Sequence, residues 1–196
     1  CKTPLSGLGD LRGRRVRVSS AGLADFVGAL GGVPVNTAFA EIVPSLQNGN
    51  VDCAITGSMS GNTLGLHTMT SHVFAMPLTW GLAIFGANRA AWEALPPDLR
   101  ALLRRELPRL EGAIWEESER DTAEGFACNS GLPTCQVGRK GSMVVVPVSS
   151  QDERRRQEIF TATVLPRWLK RCGARCNDIW SQTIGPARSI AIPTAP

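Results

Sequence analysis

A chain of 196 residues, 43% hydrophobic and 19% charged, is long enough for one full domain or two small lobes and too evenly composed for low-complexity disorder. Twenty-one Lys and Arg against 17 Asp and Glu leave a net charge of +4, which favours anionic partners without demanding nucleic acid. No apolar run approaches the ~20 residues that a bilayer-crossing helix needs, so the chain is not expected to span a membrane.

The first elements alternate. Arg15-Val16-Arg17-Val18 reads as a short strand. Ser19 or Ser20 can cap a following helix in which Leu23, Phe26, Val27 and Leu30 fall at helical spacing, and Gly31-Gly32 ends it. Val33-Pro34-Val35 is extended, with Pro34 restricting it to an edge or a strand start. A short helix over Glu41 to Gln47 is compatible with Pro44 only if Pro44 lies in its first turn. Val51 to Thr56 is nearly continuous apolar sequence, the pattern of a strand buried on both faces of a parallel sheet.

Beyond a Gly-rich stretch reaching His72, Trp80 to Phe85 predicts another strand. Asn88 can cap a helix over Ala90 to Leu95, and Pro97-Asp98 opens a long helix to about Phe126, with Leu99, Leu102, Leu103, Leu110 and Ile114 in period and Pro108 as a kink. Such a helix can reach across two lobes. Met143 to Val148 predicts a strand, Asp152 to Lys170 a helix and Asn177 to Ile184 a last helix, followed by a loose tail. The Arg154-Arg155-Arg156 run opposes the dipole at a helix start and is expected to be solvated.

The six cysteines permit complete pairing in 15 ways. Cys128 and Cys135 close a loop whose Gly131 and Pro133 supply a turn, and Cys172 and Cys176 flank the turn-like Gly173-Ala174-Arg175. A link from Cys1 to Cys53 requires the Cys1 segment to run beside the Val51 to Thr56 strand. Loops of the two smaller sizes stabilise by roughly 2–3 kcal/mol each and the larger by about 4. The rival reading is a four-cysteine zinc site, but structural zinc pairs are usually two to four residues apart, which Cys128 and Cys135 exceed; reduced buried thiols are the third. Disulfides imply periplasm or cell exterior.

Catalytic patterns are weak. His67 and His72 stand at neither i,i+3 nor i,i+4 with no Glu in a zincin arrangement, so no metal and no cofactor are expected. Ser19, Ser20 and Ser58 show no partner His and acid, Asp52 reads as a structural carboxylate at a strand end, and no catalytic residue is expected. With no Tyr and only 6% aromatics, an aromatic-studded basic face for nucleic acid is not expected either.

Four blocks in order carry a resemblance: Asp10-Leu11-Arg12-Gly13-Arg14-Arg15-Val16-Arg17-Val18, Ala29-Leu30-Gly31-Gly32-Val33-Pro34-Val35, Phe39-Ala40-Glu41-Ile42-Val43 and Leu46-Gln47-Asn48-Gly49-Asn50-Val51-Asp52. Together with His72 to Asn88 and Ala91 to Arg100, they resemble the solute receptors of tripartite ATP-independent periplasmic (TRAP) transporters, the DctP type. The resemblance covers most of the chain from about residue 4. It implies an α/β, periplasmic-binding-protein-like (type II, venus-flytrap) lobe with long C-terminal helices, part of an incomplete two-lobed fold. Residues 5–82 would be an αβ lobe, 83–127 a strand and helix linking the lobes, and 128–196 a disulfide-bearing helical segment. The family's first lobe and signal peptide precede the segment matching Cys1, so Cys1, which could otherwise mark a processed start, becomes an interior position near the hinge.

The resemblance further implies a non-catalytic periplasmic receptor that captures a small organic anion and delivers it to the membrane subunits of a TRAP transporter. The family's carboxylate-binding Arg falls on Arg17, whose planar fork suits a carboxylate where Lys would be a point charge. Phe39 matches the aromatic that packs on the ligand. Thr56 stands where the family often has Asn, and Trp80 lies on the segment returning to the cleft, where its indole could cover an apolar ligand body. The alternative is an anion-sensing regulatory domain on a related bilobed fold.

Overall fold

The computed structural model describes residues 1–82 and 84–192. Its organising element is β1 (Arg15–Val18), the middle strand of a parallel sheet in the order β2-β1-β3, with β2 at Val33–Asn36 and β3 at Cys53–Ala54. Arg17 is in register with Val35 on one side and with Ala54 on the other. Val16, Arg17 and Val18 are all buried, so β1 is covered on both faces despite its alternating polarity.

Helix α1 (Ala21–Ala29) begins at Ser20, whose Oγ accepts a hydrogen bond from the Leu23 amide, and buries Leu23, Phe26 and Val27. Gly32 follows it because a Cβ there would meet the Leu11 carbonyl oxygen and a Val27 methyl at 2.9 Å. A 3-10 turn at Phe39–Glu41 leads into α2 (Ile42–Gln47), which holds Pro44 in its first turn as expected. Two clusters sandwich the sheet. Leu8, Val16, Val18, Phe26, Val27 and Cys53 pack on the α1 side, and Ile42, Leu46, Val51 and Leu66 pack on the α2 side against Val35 and Ala54.

Helix α3 (Ser58–Thr63) and a 3-10 turn at Leu66–Thr68 lead to β4 (His72–Phe74), which pairs in parallel with β5 (Val144–Val146) in a second sheet. Three expectations are corrected. The apolar run Val51 to Thr56 forms strand only at Cys53–Ala54, opposite Val16 and Arg17 of β1, and Met143 to Val148 only at Val144–Val146, opposite the three residues of β4. The strand expected over Trp80 to Phe85 is not formed among the described residues of that stretch, where Trp80, Leu82, Ile84 and Phe85 are all strongly exposed; Ala83 lies outside the described residues. Strand propensity needs a partner edge, and among the described residues none is beside it.

Asn88 caps α4 (Arg89–Ala94) by accepting from the Ala91 amide. Helix α5 (Pro97–Ser130) has Pro at its first position, runs 34 residues through Pro108 and stops at Gly131, whose φ of 78° is left-handed. Its buried residues, Gly125, Ala127, Cys128 and Asn129, all lie at its C-terminal end. Helix α6 (Ser150–Ile159) is capped by Ser149 and passes through a π turn at Phe160–Val164 into α7 (Leu165–Cys172). Helices α8 (Ala174–Gln182) and α9 (Ile184–Arg188) follow, and Leu165, Leu169 and Trp180 close a third cluster.

All six cysteines are paired, Cys1 with Cys53, Cys128 with Cys135 and Cys172 with Cys176, which removes the zinc alternative. The Cys1 segment lies between β3 and β4. The Lys2 amide donates to the Asp52 carbonyl, and the Ser71 amide donates to the Cys1 carbonyl.

Asp25 on α1 ties down the C-terminal helices. It accepts from Arg167 Nη1 at 3.0 Å, and Arg171 Nη2 lies 2.7 Å from its other oxygen. Burial pushes this carboxyl up, but the two guanidinium groups outweigh burial and hold it below its ordinary value of 3.8. A depressed carboxylate contributes stability above its unfolded value and loses it as pH falls. Protection of α7 amides from hydrogen exchange is therefore expected to drop as pH falls below the ordinary carboxylate range. Asp25→Asn should abolish that drop, and an unchanged drop in the variant would place the acid sensitivity elsewhere.

Candidate carboxylate-binding site

In an open parallel sheet, ligands bind outside the carboxyl ends of the strands, at the point where chain connections leave in opposite directions. Here that point is the carboxyl end of β1, flanked by β2 and β3. Arg17 stands there, 3% exposed. Its Nε and Nη2 both donate to the Thr37 carbonyl just beyond β2, at 3.1 and 2.9 Å. Its Nη1 donates to the Ile55 carbonyl just beyond β3, at 3.0 Å.

These contacts use three of the five N–H donors of a guanidinium and leave one on each terminal nitrogen, the pair suited to a carboxylate. Among the described residues no acidic group lies within ion-pair distance of Arg17. Burial lowers its pKa, yet a guanidinium starts so high that it keeps its charge. Arg15, two residues earlier, is the contrast. It is exposed, and Asp52 accepts from its Nε and Nη2 and from its own amide. This arrangement gives Asp52 the structural role expected of it.

Of the other residues singled out from sequence, Thr56 directly follows Ile55 and is half-buried, and Phe39 starts the 3-10 turn two residues past Thr37 with 49% of its surface exposed. Arg17, Phe39 and Thr56 thus stand at or just beyond the carboxyl ends of β1, β2 and β3. Trp80, 78% exposed in the irregular stretch, belongs to none of the three packed clusters. A cavity of about 150 Å³ lies on the other side of β1, bounded by Val16, Cys53, Ile55, Thr56, Phe74 and Met143 among others; Arg17 is not part of its wall.

Behind Thr56, buried amides hold the start of α3 against the end of α5. Asn129 Nδ2 donates to the Ser58 carbonyl at 2.9 Å, while Asn62 Nδ2 donates to Asn129 Oδ1 and to the Arg139 carbonyl. The Arg139 amide in turn donates to Asn62 Oδ1. Every buried polar atom of this group that could demand a partner has one, which fixes the backbone leading out of β3.

Sequence reasoning missed Thr37. Its carbonyl receives two of the three Arg17 hydrogen bonds, while its buried Oγ1 has no partner among the described residues. A threonine after an edge strand carries no signal of that kind. Removing an unsatisfied buried hydroxyl while keeping its shape is neutral or favourable, so Thr37→Val is expected to leave stability unchanged or raise it by up to about 1 kcal/mol in urea unfolding. A loss of that size would show that the hydroxyl is paired in solution.

Residues 1–127 match the family described as bacterial extracellular solute-binding protein, family 7, of the DctP type. The chain belongs to that family. The C4-dicarboxylate-binding periplasmic protein DctP of Rhodobacter capsulatus is 28% identical to this family 7 chain over 174 residues, covering 88% of the chain and 49% of the relative. Among solved structures, a TRAP periplasmic solute-binding protein from Desulfovibrio salexigens with bound orotic acid aligns with a TM-score of 0.75 at 18% identity, over 97% of this chain and 58% of the other. DctP7 of Bordetella pertussis, an extracytoplasmic solute receptor binding pyroglutamic acid, aligns with a TM-score of 0.71 at 20% identity, over 89% of this chain and 55% of the other. The fold is thus that of the family's periplasmic binding proteins, which are receptors and not enzymes. Alignment over 97% of the chain carries the fold past residue 127 into the disulfide-bearing helices. The family 7 chain spans about half the length of the curated relative it matches. No helix among the described residues is long and apolar enough to cross a membrane.

Proposed function

We propose that this chain forms part of a periplasmic receptor that captures a small organic acid, with Arg17 pairing to its carboxylate, and delivers it to the membrane subunits of a TRAP transporter. The observation that carries the reading is the buried Arg17 guanidinium, held by two backbone carbonyls, with two N–H groups unspent and no acidic side chain in reach among the described residues. A buried charge without a counterion is costly, and a ligand carboxylate supplies the missing charge and the missing acceptors together. The ligands of the relatives, a C4-dicarboxylate, orotic acid and pyroglutamic acid, all carry or consist of such a group.

Phe39 and Thr56 then flank the ligand from the ends of β2 and β3, and Trp80 would reach it only from a second lobe. The exposed apolar side chains Trp80, Leu82, Ile84 and Phe85, with Leu110, Ile114 and Trp115 along α5, support such a lobe packing against 83–127 in the complete receptor. Native mass spectrometry of the complete gene product with malonate, succinate, orotate and pyroglutamate tests the reading, each beside its neutral amide. At least one carboxylate is expected to be retained and its amide lost. Equal retention of acid and amide, or retention of none of the acids, would overturn it.

A further inference from the structure

The three disulfides lie in different surroundings. Cys53 and Cys128 are buried, so two of the bridges each have one member in the protein interior. The third has none, because Cys172 is exposed and Cys176 half-buried. It also spans the shortest separation, 4 residues against 7 and 52, and so gains least from loop closure. Exposed disulfides are the more oxidising and more readily exchanged ones.

Charge is concentrated beside it. Lys170, Arg171 and Arg175 are exposed around the two cysteines, and the acidic residues near them are Asp178 on α8 and Asp25, which already engages Arg171 and Arg167. The two sulfurs also differ. Cys172 ends α7, whereas Cys176 is the third residue of α8, in the first turn, where the positive end of the helix dipole favours a thiolate.

We propose that Cys172–Cys176 is a thiol-exchange site for anionic low-molecular-mass thiols. The incoming thiolate attacks Cys172 Sγ, a new S–S bond forms between thiol and Cys172, the Cys172–Cys176 bond breaks, and its electron pair leaves as the Cys176 thiolate. A second thiolate attacks the thiol-derived sulfur of the mixed disulfide, releasing the oxidised small disulfide and the Cys172 thiolate. The small thiol is thereby the reductant, and two of its molecules balance the conversion. Lys170, Arg171 and Arg175 draw in a thiolate that carries a further negative charge more strongly than one whose ammonium group cancels the thiolate charge. Cys176 packs on the Leu165, Leu169 and Trp180 cluster, and the Trp180 ring lies 6.0 Å from that of Trp168, so opening is reported by indole fluorescence. This inference stands apart from the carboxylate reading of Arg17.

The test uses the full chain, with 2-mercaptoethanesulfonate and cysteamine at matched thiolate concentration, followed by differential alkylation and peptide mapping. Cys172 and Cys176 are expected to label before the other four cysteines, about tenfold faster with the sulfonate thiolate than with the zwitterionic cysteamine thiolate at low ionic strength. That preference should collapse at about 1 M salt, where screening is nearly complete, and in a Lys170→Gln/Arg175→Gln variant. Earlier opening of either other bridge, or equal rates for the two thiols, would overturn the proposal.

Discussion

Arg17→Ala in the complete gene product is expected to weaken carboxylate binding by roughly 10²-fold or more, because removing one partner of a desolvated ion pair costs about 3–5 kcal/mol. The effect is large because the site isolates the charge. Arg17 is almost wholly buried, and three of its donors are committed to the Thr37 and Ile55 carbonyls, so its remaining fork has one direction in which to act. Arg17→Lys should lie between the two, since an ammonium keeps the charge but cannot span both carbonyls and a carboxylate with a rigid plane. Isothermal calorimetry with the ligand found for the wild type measures both. Equal affinity in wild type and Arg17→Ala would sink the assignment, provided both proteins unfold cooperatively.

Opening the Cys1–Cys53 bridge by a Cys1→Ala/Cys53→Ala substitution is expected to cost about 4 kcal/mol, the loop-closure entropy of a 52-residue separation. The same change at Cys128 and Cys135, separated by 7, should cost about 2.5. The larger bridge also does more locally. It fastens the Cys1 segment beside β3 while the Cys1 carbonyl accepts from Ser71 just before β4, so one covalent tie holds the junction between the two sheets. Urea unfolding of the two double variants gives the comparison. A smaller loss at Cys1 and Cys53 than at Cys128 and Cys135 would mean that the unfolded chain already keeps these ends together.

Much of the first 50 residues was legible because its signals are local. The valines of β1, the Ser20 cap, the glycines after α1 and Pro34 on an edge strand each act within a few residues of themselves. The pairing of Cys1 with Cys53 was legible only as one of several options, because it depends on which strands become neighbours. The same dependence explains the failures. Trp80 to Phe85 has the composition of a strand but, among the described residues, no edge beside it, and His72–Phe74 became β4 because β5, some 70 residues later, came alongside. At the candidate site, Arg17 could be picked out by type and by its place on a strand. Its burial, its two carbonyl partners and the orphan Thr37 hydroxyl arise from three chain segments meeting, which no single segment encodes.

Among the described residues, helix α5 is buried at its final turns, where α3 and the Asn62–Asn129 pair hold it. At about 1.5 Å per residue its 34 residues extend roughly 50 Å. It is in effect a lever with a clamped fulcrum. A tilt of about 10° at the Gly125–Ser130 end would carry the Pro97 end through roughly 9 Å, a distance comparable with the spacing of two packed helices.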